Sequence, residues 1–407
     1  MKIKTLFTAL ALMCLIGSIS VATAQVTKIG DGRDPAIYGT KVAWADLSGV
    51  VHLYDLSTKK DTRLSSSAAS HPDIYGNKMV WFDTGSGIPR ITVYDIPSGI
   101  RTFVTKDIDD WSIPHIYGNY IVWNANGGIY LRYMSPNKNV KSWQMRISDE
   151  YYADIYDTKV VSSYGENSIK LYDVSTKKTI DIPGSNAANP HIWGTKVIWS
   201  DMINHNGYIR MYDTSTKKTI DVTHELVQMP NSDEDWGAGT GSHIAIQGDK
   251  IVYNKYTDDY EGVAGVYVYS IASGKSTLLS QYNYSDWDYV DTTPEVYGNT
   301  VVWGMHSTLY SNTDDSGIYV TTIPTKPVAA FTTNKTSGKK PFTTTFTYTG
   351  TGTPDTYYWK FGDGVDSKHA VTATHTFTKA GTYTVSLKVT NSAGSNIATK
   401  SKYITVK

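Results

Sequence analysis

The sequence has 407 residues, which is more than one ordinary domain. Its 38 lysines and arginines balance its 38 aspartates and glutamates, and no basic run stands out. The balance argues against nucleic acid as a main partner, because nucleic-acid binding needs a concentrated positive surface.

The first 24 residues differ from the rest of the chain. Two lysines precede an apolar run from Leu6 to Ile16, and Ala22-Thr23-Ala24 is a small-x-small cleavage signal. This pattern predicts a secretory signal peptide over residues 1–24, and its apolar run is too short for an ordinary transmembrane helix. The only cysteine, Cys14, lies inside it, so the mature chain is expected to have no disulfide. No later segment is expected to span a membrane.

From residue 25 the chain repeats one phrase seven times: an extended segment, a turn usually centred on glycine, and a hydrophobic strand that usually ends in an aromatic residue. The copies are Pro35–Trp44, Pro72–Trp81, Pro114–Trp123, Ala153–Ser162, Pro190–Trp199, Ile244–Tyr253 and Pro294–Trp303, of which the fourth and sixth are degenerate. The turns recur every 37 to 54 residues or so, which is the period of a four-stranded propeller blade. Such repeats cannot bury their faces alone, so they must pack around an axis or in a stack.

Each repeat contains two further strands, and we call its four strands a, b, c and d in chain order. The first follows about ten residues after the aromatic, as Leu53-Tyr54-Asp55 does in the first repeat, and the second follows a Ser/Thr/Lys turn. The last repeat runs into Pro324 without a fourth strand, whereas Gln25–Ile29 resembles an orphan fourth strand before the first repeat. We therefore expect an all-β fold, a seven-bladed β-propeller over residues 25–324 that is closed by the N-terminal strand.

From Pro327 onward the pattern changes to threonine-rich strands. Its most specific piece is Tyr358-Trp359-Lys360-Phe361-Gly362-Asp363-Gly364, followed by Thr374–Phe377 and Ala380–Asn391. The Gly-Asp-Gly triplet permits a tight turn, and the two aromatics that precede it alternate onto one face. Residues 327–407 thus resemble the PKD domain, an immunoglobulin-like β-sandwich, although that family usually has Asp where Lys360 stands.

The resemblance implies a spacer or contact module of exported proteins, without a catalytic site. The propeller phrase Tyr-Gly-x-Lys-Val-x-Trp resembles that of TolB/YVTN-like propellers. Together, the two domains resemble archaeal surface-layer-type cell-surface proteins. Fold similarity does not settle function, which must be argued from a site.

The connections from strand b to c and from strand d to a vary in length, and the long ones fall mostly in repeats 5 to 7. The long connections are predicted over Asp201–Tyr208, Thr223–His243, Asn254–Gly265, Gln281–Pro294 and Gly304–Gly317. Their chemistry is acidic and aromatic, and the candidate ligand-binding residues are Trp111, Asp235, Trp236, Asp286, Trp287 and Asp288. Carboxylates are calcium ligands, and aromatic rings stack on sugar rings, so this pattern favours a calcium-assisted glycan-binding surface. The alternative is that these residues only organise turns and cover blade edges.

A second set of residues directly follows the repeat proline, where it should line the central channel. Its ionisable members, His115, His191, Asp73, Asp154 and Glu295, are candidate ligands of a divalent metal. The alternative is a polar, water-filled channel, as in any propeller.

The sequence predicts an exported cell-surface protein that mediates adhesion or binds envelope glycans or surface proteins. We expect it to do so through the face that carries the long b–c and d–a connections, here called the long-loop face. A metal-assisted, lyase-like enzyme acting on polysaccharides at the channel mouth is the second hypothesis. A purely structural surface component is the third. The sequence establishes no cofactor, and calcium or another divalent metal is the candidate.

Overall fold

The computed structural model describes residues 25–65, 68–106, 108, 112–136, 141–163, 168–184, 187–203, 206–223, 227–228, 244–256, 261–285, 290–307, 317–368 and 371–407. The predicted signal peptide over residues 1–24 lies outside these ranges. Contacts divide the described chain into two compact units, one ending at Ile323 and one spanning Pro324–Lys407. Every regular element in the described ranges is a strand.

The first unit contains seven antiparallel sheets in chain order, and each sheet is one blade. The chain begins with β1 (Thr27–Gly30). Blade 1 contains β2 (Arg33–Tyr38), β3 (Lys41–Ala45), β4 (Val51–Asp55) and β5 (Lys60–Arg63). Blade 2 contains β6 (Ala69–Tyr75), β7 (Lys78–Asp83), β8 (Arg90–Asp95) and β9 (Ile100–Lys106). Blade 3 contains β10 (Pro114–Tyr117), β11 (Tyr120–Ala125), β12 (Gly128–Tyr133) and β13 (Trp143–Ser148). Blade 4 contains β14 (Tyr152–Tyr156), β15 (Lys159–Ser163), β16 (Ser168–Asp173) and β17 (Lys178–Pro183).

The last three blades complete the ring. Blade 5 contains β18 (Ala187–Trp193), β19 (Lys196–Ile203), β20 (Asn206–Asp213) and β21 (Lys218–Asp221), with the short β22 (Val227–Gln228) also paired to β20. Blade 6 contains β23 (Ile244–Gln247), β24 (Lys250–Tyr256), β25 (Glu261–Ser270) and β26 (Lys275–Ser285). Blade 7 contains β27 (Val290–Tyr297), β28 (Thr300–Ser307) and β29 (Gly317–Thr322). Its fourth strand is β1, which pairs antiparallel with β29. The predicted fold class, including closure by the N-terminal strand, is confirmed.

The repeated phrase is the hairpin of strands a and b in every blade. Its first and last residues face each other across the hairpin, as Pro114 faces Trp123 and Pro294 faces Trp303. The phrase-ending tryptophans of five blades are at most 1% exposed. They pack within apolar clusters that draw on two consecutive blades, such as the cluster containing Trp81 and Val51. The sheets therefore bury their faces against each other, which is the main stabilisation available to such short strands.

Several segments that the sequence analysis treats as loops are strands instead. The b–c connection predicted over Asp201–Tyr208 contains a hairpin, in which Ile203 pairs with Asn206. The b–c and d–a connections around blade 6 are shortened in the same way, because β25 and β26 pair along 10 and 11 residues. The error arises because polar and aromatic residues that mark loops also occupy strands whose ends project into solvent. Blade 6 thus extends well beyond blades 1 to 4 at the end of the ring that carries the b–c and d–a connections.

The second unit consists of two sheets packed face to face. One contains β30 (Phe331–Thr333), β32 (Phe342–Tyr348) and β35 (Thr372–Phe377). The other contains β31 (Ser337–Gly338), β33 (Thr356–Lys360), β34 (Asp366–Lys368), β36 (Gly381–Asn391) and β37 (Gly394–Val406). Trp359, Phe346 and Phe331 are buried between them. His375 stacks on Phe361 at 4.1 Å, and its Nε2 lies 2.7 Å from the carboxylate of Asp363. This histidine therefore packs against the Gly-Asp-Gly turn.

Ring closure predicts a specific sensitivity at Gly30 in β1. A Cβ there would lie 2.6 Å from Cζ2 of Trp44, a buried ring of blade 1. Gly30→Val should therefore lower the free energy of unfolding by about 1–3 kcal/mol in a denaturant titration, because the added side chain overpacks the closure. Asp31→Ser, just beyond the strand, is the control, since the Asp31 side chain is 74% exposed. Equal stability of the two variants would contradict closure through β1.

Candidate functional site

Four ionisable side chains follow one another around the channel in blades 2 to 5. They occupy the position after the repeat proline, where the seven blades carry Ala36, Asp73, His115, Asp154, His191, Ala245 and Glu295. His115 Nδ1 lies 3.6 Å from Asp73 Oδ2 and 4.0 Å from Asp154 Oδ1. The other oxygen of Asp154 lies 3.4 Å from His191 Nδ1. The structure thus brings together four of the five residues that the sequence analysis selects as metal ligands.

The two aspartates also tie neighbouring blades together. Strand a is the edge of each sheet, so some of its backbone N–H groups face the channel without a strand partner. Asp73 accepts the N–H of Ile74 in its own blade at 2.7 Å and that of Ile116 in blade 3 at 2.8 Å. Asp154 repeats this pattern between blades 4 and 5, accepting N–H groups at 2.7 and 3.0 Å. Sequence reasoning missed this role, although the recurrence of Asp two blades apart was visible in the aligned repeats.

Glu295 of blade 7 completes the charged ring electrostatically. Burial raises the pKa of its carboxyl group to about 8, and the negative charges of Asp73 and Asp154 add to the shift. Burial opposes the charge on His115, but its contact with Asp73 and the charges of Asp154 and Glu295 outweigh that cost and raise its pKa to about 9. The pKa of Asp154 is lowered despite burial, because His191 and His115 stabilise its negative charge. Near neutral pH this ring therefore holds a protonated His115 and a neutral Glu295 beside a carboxylate at Asp154.

The described residues do not fit a metal ion. Among them, no group of three or more His, Cys, Asp or Glu side chains has an arrangement that could hold one. The carboxylate oxygens of Asp73 and Asp154 are directed at the backbone N–H groups that they accept, and the Nδ1 atoms of the two histidines face those carboxylates. A metal would have to compete with both sets of contacts, so no chemistry is assigned to a metal at this position.

Six aromatic side chains form most of a circle around the channel, at the strand a position two residues after the ionisable side chains. Neighbouring rings contact each other from blade 7 through blade 5, with centroids 4.3–4.8 Å apart, and the members are Tyr297, Tyr38, Tyr75, Tyr117, Tyr156 and Trp193. Blade 6 has Gln247 at this position, and its Oε1 accepts the N–H of Gly298 in blade 7. These contacts pack neighbouring blades against each other on the channel side.

The predicted ligand-binding residues of the connections cannot be placed. Trp111, Asp235, Trp236, Asp286, Trp287 and Asp288 all lie outside the described residues. The strands on either side show only that these positions belong to d–a connections, at the end of the ring to which the long hairpin of blade 6 projects.

Residues 324–406 match the family model of the PKD domain. The C-terminal unit is a PKD domain. This match covers about a fifth of the chain and lies outside the propeller. No curated protein matches the chain.

Solved structures similar to the chain include several propellers. An oligogalacturonate lyase in complex with manganese is 12% identical over 74% of this chain and 94% of its own, with a TM-score of 0.49. The β-propeller domain of the Trilobed protease from Pyrococcus furiosus is 11% identical over 71% and 91%, with a TM-score of 0.47. BamB from Moraxella catarrhalis is 16% identical over 72% and 85%, with a TM-score of 0.43. At such low identity these likenesses say nothing about activity.

The raised pKa values predict that stability falls as the pH rises. Folded Glu295 keeps its proton up to about pH 8 and folded His115 up to about pH 9, whereas in the unfolded chain the protons leave near pH 4.5 and 6.5. Because the folded state binds more protons in these windows, its free energy of unfolding should decrease between about pH 4.5 and 9. Denaturant titrations from pH 5 to 9 measure this slope.

Glu295→Gln should flatten that slope and stabilise the protein relative to wild type above about pH 8, because it removes a carboxylate that is costly to ionise. Asp181→Asn is the control, since the Asp181 side chain is 67% exposed. Identical slopes for wild type and Glu295→Gln would show that Glu295 is not buried beside the two aspartates.

Asp154→Ala should destabilise the propeller by about 1–3 kcal/mol, because the N–H groups of Ile155 and Ile192 lose their acceptor. Asp181→Ala, which removes only a surface ion pair with Lys170, should cost less than about 1 kcal/mol. Thermal melts at pH 6 compare the two. An Asp154→Ala variant as stable as wild type would mean that the packing of blades 4 and 5 does not depend on the hydrogen bonds of Asp154.

Proposed function

We propose that the protein is exported and acts at the cell surface as a binding protein, with the propeller as the receptor and the PKD domain as spacer or attachment. The observation that carries this proposal is the asymmetry of the ring. The strands of blade 6 run to 10 and 11 residues, whereas those of blades 1 to 4 have four to seven. Extra structure at one end of a symmetrical scaffold is where binding residues concentrate.

The PKD domain supports placement outside the cell, since such domains occur typically in extracellular proteins. The predicted signal peptide points the same way. None of the described residues belongs to a helix that is long and apolar enough to cross a membrane. The partner that suits the predicted acidic and aromatic connections is an envelope glycan held with the help of calcium. A surface protein is the other partner class.

The test uses residues 25–407 and a panel of envelope and plant polysaccharides, with calcium or with chelator. The triple variant Trp111→Ala, Trp236→Ala, Trp287→Ala should lose calcium-dependent retention on the polysaccharide that binds wild type. Phe103→Ala is the matched control, because Phe103 is an aromatic side chain that is 54% exposed on the outer strand of blade 2. Calcium-dependent retention that survives the triple variant would contradict the proposed site.

A polysaccharide-acting enzyme is the second candidate, and the protonation pattern of the channel favours it. A neutral Glu295 and a charged His115 beside carboxylates are the kind of perturbed groups that occur at functional sites. Release of new reducing ends or of unsaturated product, abolished by His115→Ala or His191→Ala, would favour the enzyme over the binding protein. Neither retention nor product would favour a purely structural role.

A further inference from the structure

Blade 3 carries three neighbouring aromatic side chains at the end of the ring opposite the long hairpin. Tyr120 opens β11, Tyr133 ends β12 and Trp143 opens β13, so the three are paired across adjacent strands. Their centroids lie 5.1 Å apart for the two tyrosines, 6.0 Å for Tyr133 and Trp143, and 6.3 Å for Tyr120 and Trp143. Trp143 is 38% exposed, on an outer strand whose first four residues are all exposed. We call these three residues the blade 3 triad.

The other blades show that the fold does not require aromatic residues at these positions. The cross-strand trios in the same register are Lys41–Asp55–Lys60, Lys78–Asp95–Ile100, Lys159–Asp173–Lys178, Lys196–Asp213–Lys218 and Lys250–Ser270–Lys275. Three of these five blades place Lys, Asp and Lys where blade 3 places Tyr, Tyr and Trp. Tyr120 packs partly against the apolar cluster shared by blades 3 and 4. A charged trio nevertheless occupies the same corner in three other blades, so packing does not require aromatic side chains at Tyr133 and Trp143.

We infer that the blade 3 triad is a binding site for an uncharged polysaccharide, separate from the long-loop face. The C–H groups on the face of a sugar ring suit the electron-rich faces of aromatic rings, and two tyrosine hydroxyls can bond the sugar's own hydroxyls. The absence of a charged side chain from the triad, in a position that is ionic in three other blades, favours a neutral ligand. The negative charge of Asp157 is close enough to help raise the pKa of Tyr120, so a carboxylate borders the rings.

The size of the site argues for a sugar chain instead of a protein partner. A stable protein interface needs about 800 Å² from each side. Three side chains that expose only part of their surface provide far less, whereas one sugar ring is comparable in size to one aromatic ring. Tyr133 and Trp143 are inclined by 27° to each other, and Tyr120 is inclined by 48° and 60° to them. The three centroids form a compact triangle with sides of 5.1 to 6.3 Å, so the exposed part of the cluster suits one or two units of a sugar chain at a time.

The experiment is affinity gel electrophoresis of residues 25–407 in dextran, galactomannan, mixed-linkage β-glucan and soluble starch, always with chelator. Chelator removes the calcium-assisted retention proposed for the long-loop face. Wild type should be retarded by at least one of these polysaccharides. Trp143→Lys should weaken that retention about three- to tenfold, the range expected for the loss of one aromatic contact.

The triple variant Tyr120→Lys, Tyr133→Asp, Trp143→Lys gives blade 3 the trio of blades 1, 4 and 5, and it should abolish retention without altering the melting temperature by more than a few degrees. Ile100→Lys introduces a lysine at the corresponding position of blade 2, where Ile100 is 61% exposed, and it should leave retention unchanged. If the triple variant does not fold, the retention of Trp143→Lys decides, provided that its melting temperature equals that of wild type.

Retention that persists in Trp143→Lys and in the triple variant would overturn the inference, as would the failure of all four polysaccharides to retard wild type. The variant Trp111→Ala, Trp236→Ala, Trp287→Ala should keep its retention in chelator. If it loses that retention while the blade 3 variants keep theirs, the sugar site belongs to the long-loop face. The two proposals can therefore fail separately.

Discussion

Each blade of the propeller can bury its two faces only against its neighbours, so the whole ring depends on closure of the seventh blade by β1. The pairing of β1 with β29 joins residues almost 300 positions apart, and Ile29 packs in the same apolar cluster as Trp44 of blade 1. The aromatic contacts between Tyr297 and Tyr38 cross the same seam on the channel side. Without this closure, the outer strand of blade 7 and a face of blade 1 would be open to other chains.

The channel shows how a structural need can generate groups that look catalytic. Edge strands around an axis leave N–H groups without strand partners, and Asp73 and Asp154 supply acceptors that also bridge two blades. His115 lies between these carboxylates and balances their charge, whereas Glu295 is buried in a negative environment and keeps its proton. The pKa shifts therefore follow from the architecture, and a catalytic role needs evidence of turnover. For this reason binding at the exposed ends of the ring is the leading function.

Repetition gives this protein an internal comparison that most single chains lack. Residues shared by most blades, such as the phrase-ending tryptophans, report on packing between sheets. Residues in which one blade departs from the others report on something that the ring does not need. The long hairpin of blade 6 and the aromatic side chains at the corner of blade 3 are two such departures. They lie at opposite ends of the strands, since one lies at the end that carries the b–c connection and the other flanks the a–b turn.

The sequence by itself determined the number of blades, the a–b hairpins, the closing strand and the PKD domain. These features are local or repeated: alternation within a strand, glycine at a turn and a recurring phrase are readable without knowledge of distant contacts. The sequence also selected the channel residues, because strand a is innermost in every blade.

Only the tertiary structure decided which neighbours those residues contact. Whether Asp73 meets a metal or the N–H of Ile116 depends on the rotation between two neighbouring blades, which no local pattern encodes. The same holds for the strand extensions of blade 6, where pairing with a partner strand turned predicted loops into hairpins. The aromatic corner of blade 3 likewise emerged only when cross-strand register placed Tyr120, Tyr133 and Trp143 side by side, since 24 positions of chain span the three.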